Sequence, residues 1–232
     1  MLFKQLFENE SCTYTYLISC PDKKEAVLID PVIETIERDL HILKSLGLKL
    51  TYAIDTHIHA DHVTSASALR EITNCKVAGP ANDNLKCRDI NFRDKDSLTL
   101  GTSLEIKAFH TPGHTDTHFS YVLEHNDRKI LFSGDALLID ACGRTDFQSG
   151  SSKELFNTIK KFFYSMPDDT RVYPAHDYNN KSCSTIFHQK NDNSLIDHKI
   201  NLKNFVQKMN DLKLDKPKKI DIAVPKNNKC GS

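Results

Sequence analysis

The chain has 232 residues, with 31 basic and 31 acidic side chains and a formal net charge of zero. Balanced charge argues against nucleic acid or an anionic membrane as an electrostatic partner, since both want a basic face. Hydrophobic residues at 39% and charged residues at 27% describe a globular chain long enough to bury a substantial core, and no apolar run approaches the ~20 residues of a membrane span. Cysteines stand at 12, 20, 75, 87, 142, 183 and 230, an odd number with no Cys-x-x-Cys pair. That pattern predicts free thiols in a reducing compartment, not a disulfide framework or a thiolate zinc site. Met1 to Ser11 has no apolar signal core, and Glu8 and Glu10 do not suit a transit peptide. The expected location is cytoplasmic, or the mitochondrial matrix for a eukaryotic source.

Thr13 to Ser19 and Glu25 to Asp30 are rich in β-formers around a Pro21-Asp22 turn, and predict an antiparallel pair. Glu34 to Leu46 reads as a helix with Ile36, Leu40 and Leu43 on one face and Gly47 at its end. Leu50 to Ile54 is a buried strand, followed by a turn and a helix over Val63 to Thr73. Lys76 to Gly79 is a further short strand, and Pro80 to Lys95 is polar and irregular. Ser97–Leu100 with Leu104–Thr111, and Phe119–Glu124 with Lys129–Phe132, read as hairpins turned at Gly101 and Asn126-Asp127. Ser151 with Glu154 makes a capping box before a helix that Pro167 stops. Arg171 to Tyr173 is a last strand, Ser194 to Asp211 a helix, and the tail from Lys213 a docked coil. With no repeat or linker, residues 1–232 form one α/β domain, two sheets sandwiched between helices.

Thr56-His57-Ile58-His59-Ala60-Asp61-His62 concentrates four metal-binding groups within six residues. His57 and His59 share a face of an extended segment. Asp61 and His62 fall where the next helix would begin, so its opening amides would hold an acidic side chain. His114, Asp135 and His176 each follow a predicted strand, in His110-Thr111-Pro112-Gly113-His114, Ser133-Gly134-Asp135 and Ala175-His176-Asp177-Tyr178. One such residue at a strand end is more often a structural polar group. The set His57, His59, Asp61, His62, His114, Asp135 and His176 is a metal site of nitrogen and carboxylate donors, suited to Zn, Fe or Mn. Seven donors exceed one ion's needs and leave two arrangements open. One is a dinuclear zinc hydrolase with Asp135 bridging and hydroxide as nucleophile. The other is a single ion on two His and one carboxylate, the facial triad of non-haem Fe(II) oxygenases.

The His-x-His-x-Asp-His motif, with His114, Asp135 and His176 downstream, resembles the metallo-β-lactamase superfamily over nearly the whole chain. The resemblance implies an αββα four-layer sandwich with the metal at one edge. Gly134-Asp135-Ala136-Leu137-Leu138, Cys142-Gly143-Arg144-Thr145-Asp146-Phe147-Gln148, Ala175-His176-Asp177-Tyr178 and the ending Lys216 to Gly231 are similar to the persulfide dioxygenase branch. The related glyoxalase II group shares Cys-Gly-Arg but carries a longer helical C-terminal extension. That branch implies one Fe(II) held by His57, His114 and Asp135, with His59, Asp61, His62 and His176 orienting the ligands or, in the alternative, holding a second metal (two Zn). It implies oxidation of glutathione persulfide, or a related thiol persulfide, by O₂ and water to sulfite plus thiol. Catalytic and substrate-contacting roles fall on Arg144, Tyr178, His62 and His176. The alternative is a hydroxyacylglutathione (thioester) hydrolase of glyoxalase II type. The partners are then a small thiol persulfide and O₂, with no nucleic acid or membrane, and a homodimer is compatible.

Two departures bear on the thiol carrier. Where relatives commonly carry an Asn-Pro-Arg-Leu-like stretch, this chain reads Asp192-Asn193-Ser194-Leu195, with Lys190 the nearest cation. Asp140 stands where many relatives have a basic residue. Both predict less positive charge at the substrate mouth and weaker use of glutathione persulfide. Cys142 reads as a packed structural thiol, and a redox-sensitive thiol near the metal is the alternative.

Overall fold

The computed structural model describes residues 1–178 and 180–232. Strands β1 (Leu2–Glu8), β2 (Thr13–Cys20) and β3 (Glu25–Ile29) form an antiparallel meander. Helix α1 (Ile36–Ser45) leads to β4 (Lys49–Ile54), and α2 (Ala66–Thr73) to β5 (Lys76–Pro80) and β6 (Ile90–Phe92), all parallel to β3. The six strands lie in chain order in one sheet. The second sheet has the order β12-β11-β10-β9-β8-β7, built from β7 (Ser97–Leu100), β8 (Leu104–His110), β9 (Phe119–His125), β10 (Arg128–Gly134), β11 (Arg171–Pro174) and β12 (Ser184–Thr185). Helices α3 (Ser152–Asn157), α4 (Ile186–Asp192), α5 (Leu202–Asp211) and α6 (Ile220–Asn227) complete the chain.

Side-chain alternation along the strands separates three apolar layers. On β2, Tyr14, Tyr16 and Ile18 face the second sheet, whereas Leu17 faces the helices with Leu43 of α1 and Leu69 of α2. On β10, Phe132 points between the sheets and Leu131 points outward against Leu155, Ile159 and Phe205. The result is the expected αββα sandwich. Its middle is aromatic: Phe132 lies 5.0 Å from Tyr16 and 6.1 Å from Tyr173, centroid to centroid.

Several sequence expectations shift. Strands β1, β6 and β12 and helix α4 have no counterpart among the expected elements. Helix α2 starts at Ala66, not Val63. Residues 62–65 are instead drawn into extended pairing with the segment after β3: the Ile33 amide donates to Val63 O at 2.9 Å and the Ser65 amide to Pro31 O at 2.9 Å. Asp61 therefore does not sit on helix amides. The helix expected from Ser194 begins only at Leu202. Asn193 Oδ1 accepts from the amides of Leu195 and Ile196, and Asp197 Oδ1 from those of Lys199 and Ile200, so local side-chain bonds replace helical ones. The tail is not coil throughout, since α6 forms with Pro225 in its last turn. Cys87 and Cys230 form a disulfide, against the expectation of seven free thiols.

Phe132→Ala is expected to lower stability by about 3–5 kcal/mol through the cavity left among the aromatics. Urea unfolding followed by far-UV circular dichroism checks this, and a loss below ~1 kcal/mol would show that these rings do not carry the sheet-to-sheet contact.

Candidate metal centre

The C-terminal ends of β4, β8, β10 and β11 meet at one edge of the sandwich, and each donates to the centre. His57, His59, Asp61 and His62 come from the β4–α2 connection, His114 from the β8–β9 loop, Asp135 from the residue after β10, and His176 from the second residue after β11. The sheets are joined here directly. Phe119 N donates to Thr56 O at 2.9 Å, Tyr121 Oη to Asp55 O at 2.7 Å, and Tyr14 N to Ala175 O at 2.7 Å. A rigid double sheet thus fixes loops that would otherwise wander.

His57, His114 and Asp135 present donor atoms that all lie within 4.8 Å of one another. Asp135 Oδ2 is 3.4 Å from His114 Nε2 and 4.0 Å from His57 Nε2. An ion with ligand bonds of about 2.0–2.2 Å holds its donors about 3–3.5 Å apart, so small side-chain adjustments close this triad on one ion.

Hydrogen bonds assign a free nitrogen to each imidazole of the triad. His114 Nδ1 donates to Arg144 O at 2.8 Å, which leaves Nε2 with its lone pair toward Asp135. Thr56 Oγ1 donates to Asp30 Oδ2 at 3.1 Å and so accepts from His57 Nδ1 at 2.9 Å, again leaving Nε2 free. A second nitrogen pinned this way fixes ring orientation and tautomer for metal binding. Burial, together with the neighbouring imidazoles, pushes His57 well below the ordinary histidine range, so it stays neutral.

The remaining four residues surround this triad. His59 Nε2 is 3.1 Å from Asp30 Oδ1. Burial pulls His59 down, but the Asp30 carboxylate outweighs it and carries the group up to about 9. Asp61 Oδ2 accepts from His62 Nδ1 at 2.9 Å and from Thr13 Oγ1 at 3.2 Å. Burial disfavours its charge, yet His62 and His176 hold the carboxyl well below the carboxylate range. His176 Nδ1 donates to Cys12 O at 3.3 Å, and its Nε2 lies 3.5 Å from both Asp61 Oδ2 and Asp135 Oδ1. His59 Nδ1, His62 Nε2 and Asp135 Oδ1 are buried with no hydrogen-bond partner among the described residues. Buried polar atoms without partners are costly, and these donors fit a metal ion.

A cavity of about 460 Å³ opens from the centre. Beside Asp61, His114, Asp135 and His176 it is walled by Leu138, Phe147, Leu195, Leu212 and Leu214. Arg144 and Tyr178 line it as expected. Arg144, however, forks onto Asp146 (Nε 2.7 Å, Nη2 2.8 Å), lies 4.5 Å over the Phe147 ring and donates to Asp215 O at 2.7 Å. Tyr178 is exposed and stacks on His176. Asp140 is not at this mouth: it pairs with Lys181 and, at 2.6 Å, with His188. Lys190 is held by Asp168 at 2.5 Å. Cys142 packs against Met209, and burial pushes its thiol up to about 12, which fits the structural reading.

One supporting residue lies outside the donor set that the sequence marks. His118 is fully buried, donates from Nδ1 to Thr111 Oγ1 at 2.9 Å and accepts at Nε2 from Asp135 N at 3.1 Å. It approaches so closely that a Cβ on Gly134, where φ is +54°, would lie 2.4 Å from Nε2. The signal was present in His114-x₃-His118, but nothing local tells a ring that supports a ligand's backbone from one that binds metal. His118→Phe is expected to fold yet bind Zn(II) about tenfold or more weakly, because Asp135 loses its anchored amide. Competition with a chromophoric chelator measures this, and wild-type affinity would refute the role.

The sequence model of the metallo-β-lactamase superfamily matches residues 12–176. A relative named persulfide dioxygenase ETHE1, mitochondrial, from Mus musculus is 42% identical over 233 residues, covering all of this chain and 89% of the relative. The crystal structure of ETHE1 from Myxococcus xanthus superposes with a TM-score of 0.94 at 43% identity, covering 100% of both chains. A hydroxyacylglutathione hydrolase from Polaromonas sp. is more distant, 32% identical over 172 residues, covering 73% of this chain and 64% of that one. The chain belongs to the metallo-β-lactamase superfamily and, within it, to the persulfide dioxygenase branch.

Proposed function

We propose that the chain is an Fe(II) dioxygenase that oxidises a small thiol persulfide, R–S–SH + O₂ + H₂O → R–SH + SO₃²⁻ + 2 H⁺. The terminal sulfur gives up four electrons and O₂ accepts four. The observation that carries this reading is the His57, His114 and Asp135 triad, in a chain 42% identical over its full length to a persulfide dioxygenase. Two imidazoles and one carboxylate on one side of an ion leave its other positions open. Iron bound there would supply the redox chemistry with O₂ and the persulfide sulfur.

The protein's own contribution is placement. His114 and His57 are locked by Arg144 O and Thr56, so their lone pairs need no reorganisation. Leu138, Leu195, Leu212 and Leu214 exclude water from the thioalkyl chain. His176, facing both Asp61 and Asp135, and Tyr178, stacked over it, sit where a substrate would enter. We assign them to orienting it and to moving its protons.

One observation favours a second reading. The free buried nitrogens of His59 and His62 would suit a dinuclear centre with Asp135 bridging and thioester hydrolysis as the reaction. Metal analysis separates the two: one iron per chain with sulfite formed as O₂ disappears supports the dioxygenase, and two zincs with thioester cleavage support the hydrolase. Asp135→Ala is expected to lose iron and activity together, and full iron retention would refute its place in the triad. The mouse relative's mitochondrial name supports the matrix for a eukaryotic source, and no helix among the described residues is long and apolar enough to cross a membrane.

The carrier thiol follows from the mouth. Arg144 is its cation, and Asp146 already occupies the fork. Glutathione persulfide, with two carboxylates, should therefore saturate the enzyme poorly. Asp146→Asn would release the guanidinium and lower KM for glutathione persulfide several-fold at unchanged kcat. Unchanged KM would mean that the carrier's carboxylates bind elsewhere.

A further inference from the structure

The loop that carries His57, His59, Asp61 and His62 has almost no ladder of its own, so its backbone polar groups need partners from elsewhere. Three of them find a single side chain. Asn227, the last residue of α6, is buried, and its Nδ2 donates to His59 O at 2.9 Å and to His62 O at 2.8 Å. Its Oδ1 accepts from Thr64 N at 2.9 Å. Two carbonyls on one side and an amide on the other fix which end of the carboxamide is which. The bonded residues bracket Asp61 and follow His57 by two, five and seven positions.

The segment around Asn227 is fastened to the same loop. Ser67 N donates to Cys230 O at 3.1 Å. Gly231, at φ +90°, lies so close to the loop that a Cβ there would sit 2.0 Å from Thr64 O. The Cys87–Cys230 disulfide, spanning 143 residues of sequence, ties the segment to the β5–β6 connection. Asn227, Cys230 and Gly231 lie beyond residues 12–176, which the superfamily model matches.

We propose that Asn227 is a positioning residue for the metal-binding loop, and that the Cys87–Cys230 disulfide keeps the segment carrying it in place. The proposal rests on the metal-site reading but not on the persulfide reaction, so it is tested by metal binding. Asn227→Asp keeps the acceptor for Thr64 N but sets an oxygen against two carbonyls, and Asn227→Ala removes all three bonds.

In the full chain, Zn(II) affinity is measured by chelator competition well below the melting temperature, beside the melting temperature of the metal-free protein. Both variants are expected to fold and to bind Zn(II) about 10–100-fold more weakly, as for loss of a group that orients metal ligands. A lower melting temperature with unchanged Zn(II) affinity would overturn the proposal, since that is what a purely structural contact produces. Should neither variant fold, Cys87→Ser decides: it leaves Asn227 intact and frees the segment. Zn(II) release several-fold faster than from the wild type supports the proposal, and release at the wild-type rate refutes it. A wild-type chain that takes up no Zn(II) fails the metal-site reading itself, and this proposal with it.

Discussion

A buried carboxylate organises the entrance to this site. Asp30, the residue after β3, is almost wholly buried and accepts from Thr56 N at 2.7 Å, Thr56 Oγ1 at 3.1 Å and His59 Nε2 at 3.1 Å. Burying a charge without partners is prohibitively costly, so these donors must converge and the chain leaving β4 has one way to turn. Through Thr56 the same carboxylate fixes the tautomer of His57, and directly it fixes the ring of His59. The strand ends of the second sheet then need only deliver His114, Asp135 and His176 to a loop already in place.

This explains why the sandwich looks conservative in its middle and unusual at its edge. Between the sheets, Tyr16, Phe132 and Tyr173 are ordinary packing. At the edge, buried imidazoles and carboxylates crowd together, with several atoms unpartnered among the described residues. A metal ion resolves that conflict, so the least favourable packing in the fold marks its functional end.

The donor set was legible because local sequence carries it: His57 to His62 are contiguous, and Gly134-Asp135 and Ala175-His176 end apolar runs. Most strands were legible for the same reason: β8 alternates with period 2, and β9 and β10 are apolar runs around a turn at Asn126-Asp127, both at positive φ. Much of what escaped was set by distant partners. Nothing near Val63 says that residues 62–65 will pair with the segment after β3, whereas at Asn193 and Asp197 the determinant was local, a side chain that holds the amides two and three residues on in place of a helical turn. Cysteine counting failed at Cys87 and Cys230 because pairing depends on 143 residues of intervening fold, not on parity. Arg144 shows the same limit: its neighbour Asp146 was visible, but its hold on the backbone of Leu214 and Asp215 was not.

The choice between one ion and two turns on commitments made outside the ligand set. Both members of Asp61-His62 can bind metal, and a dinuclear site would take both. Here Thr13, at the start of β2, places its hydroxyl 3.2 Å from Asp61 Oδ2 and 3.3 Å from His62 Nδ1, while Asp61 and His62 bond each other. Both bonds fall on Oδ2 and leave Asp61 Oδ1 without one, so Asp61, like His57, His114 and Asp135 Oδ2, keeps a donor atom for an ion and stands with His59 and His62 in a second candidate group. The first sheet thus reaches the candidate site through a threonine that orients both side chains. Such an outer contact sets how Asp61 and His62 are aimed while all seven donors stay in place.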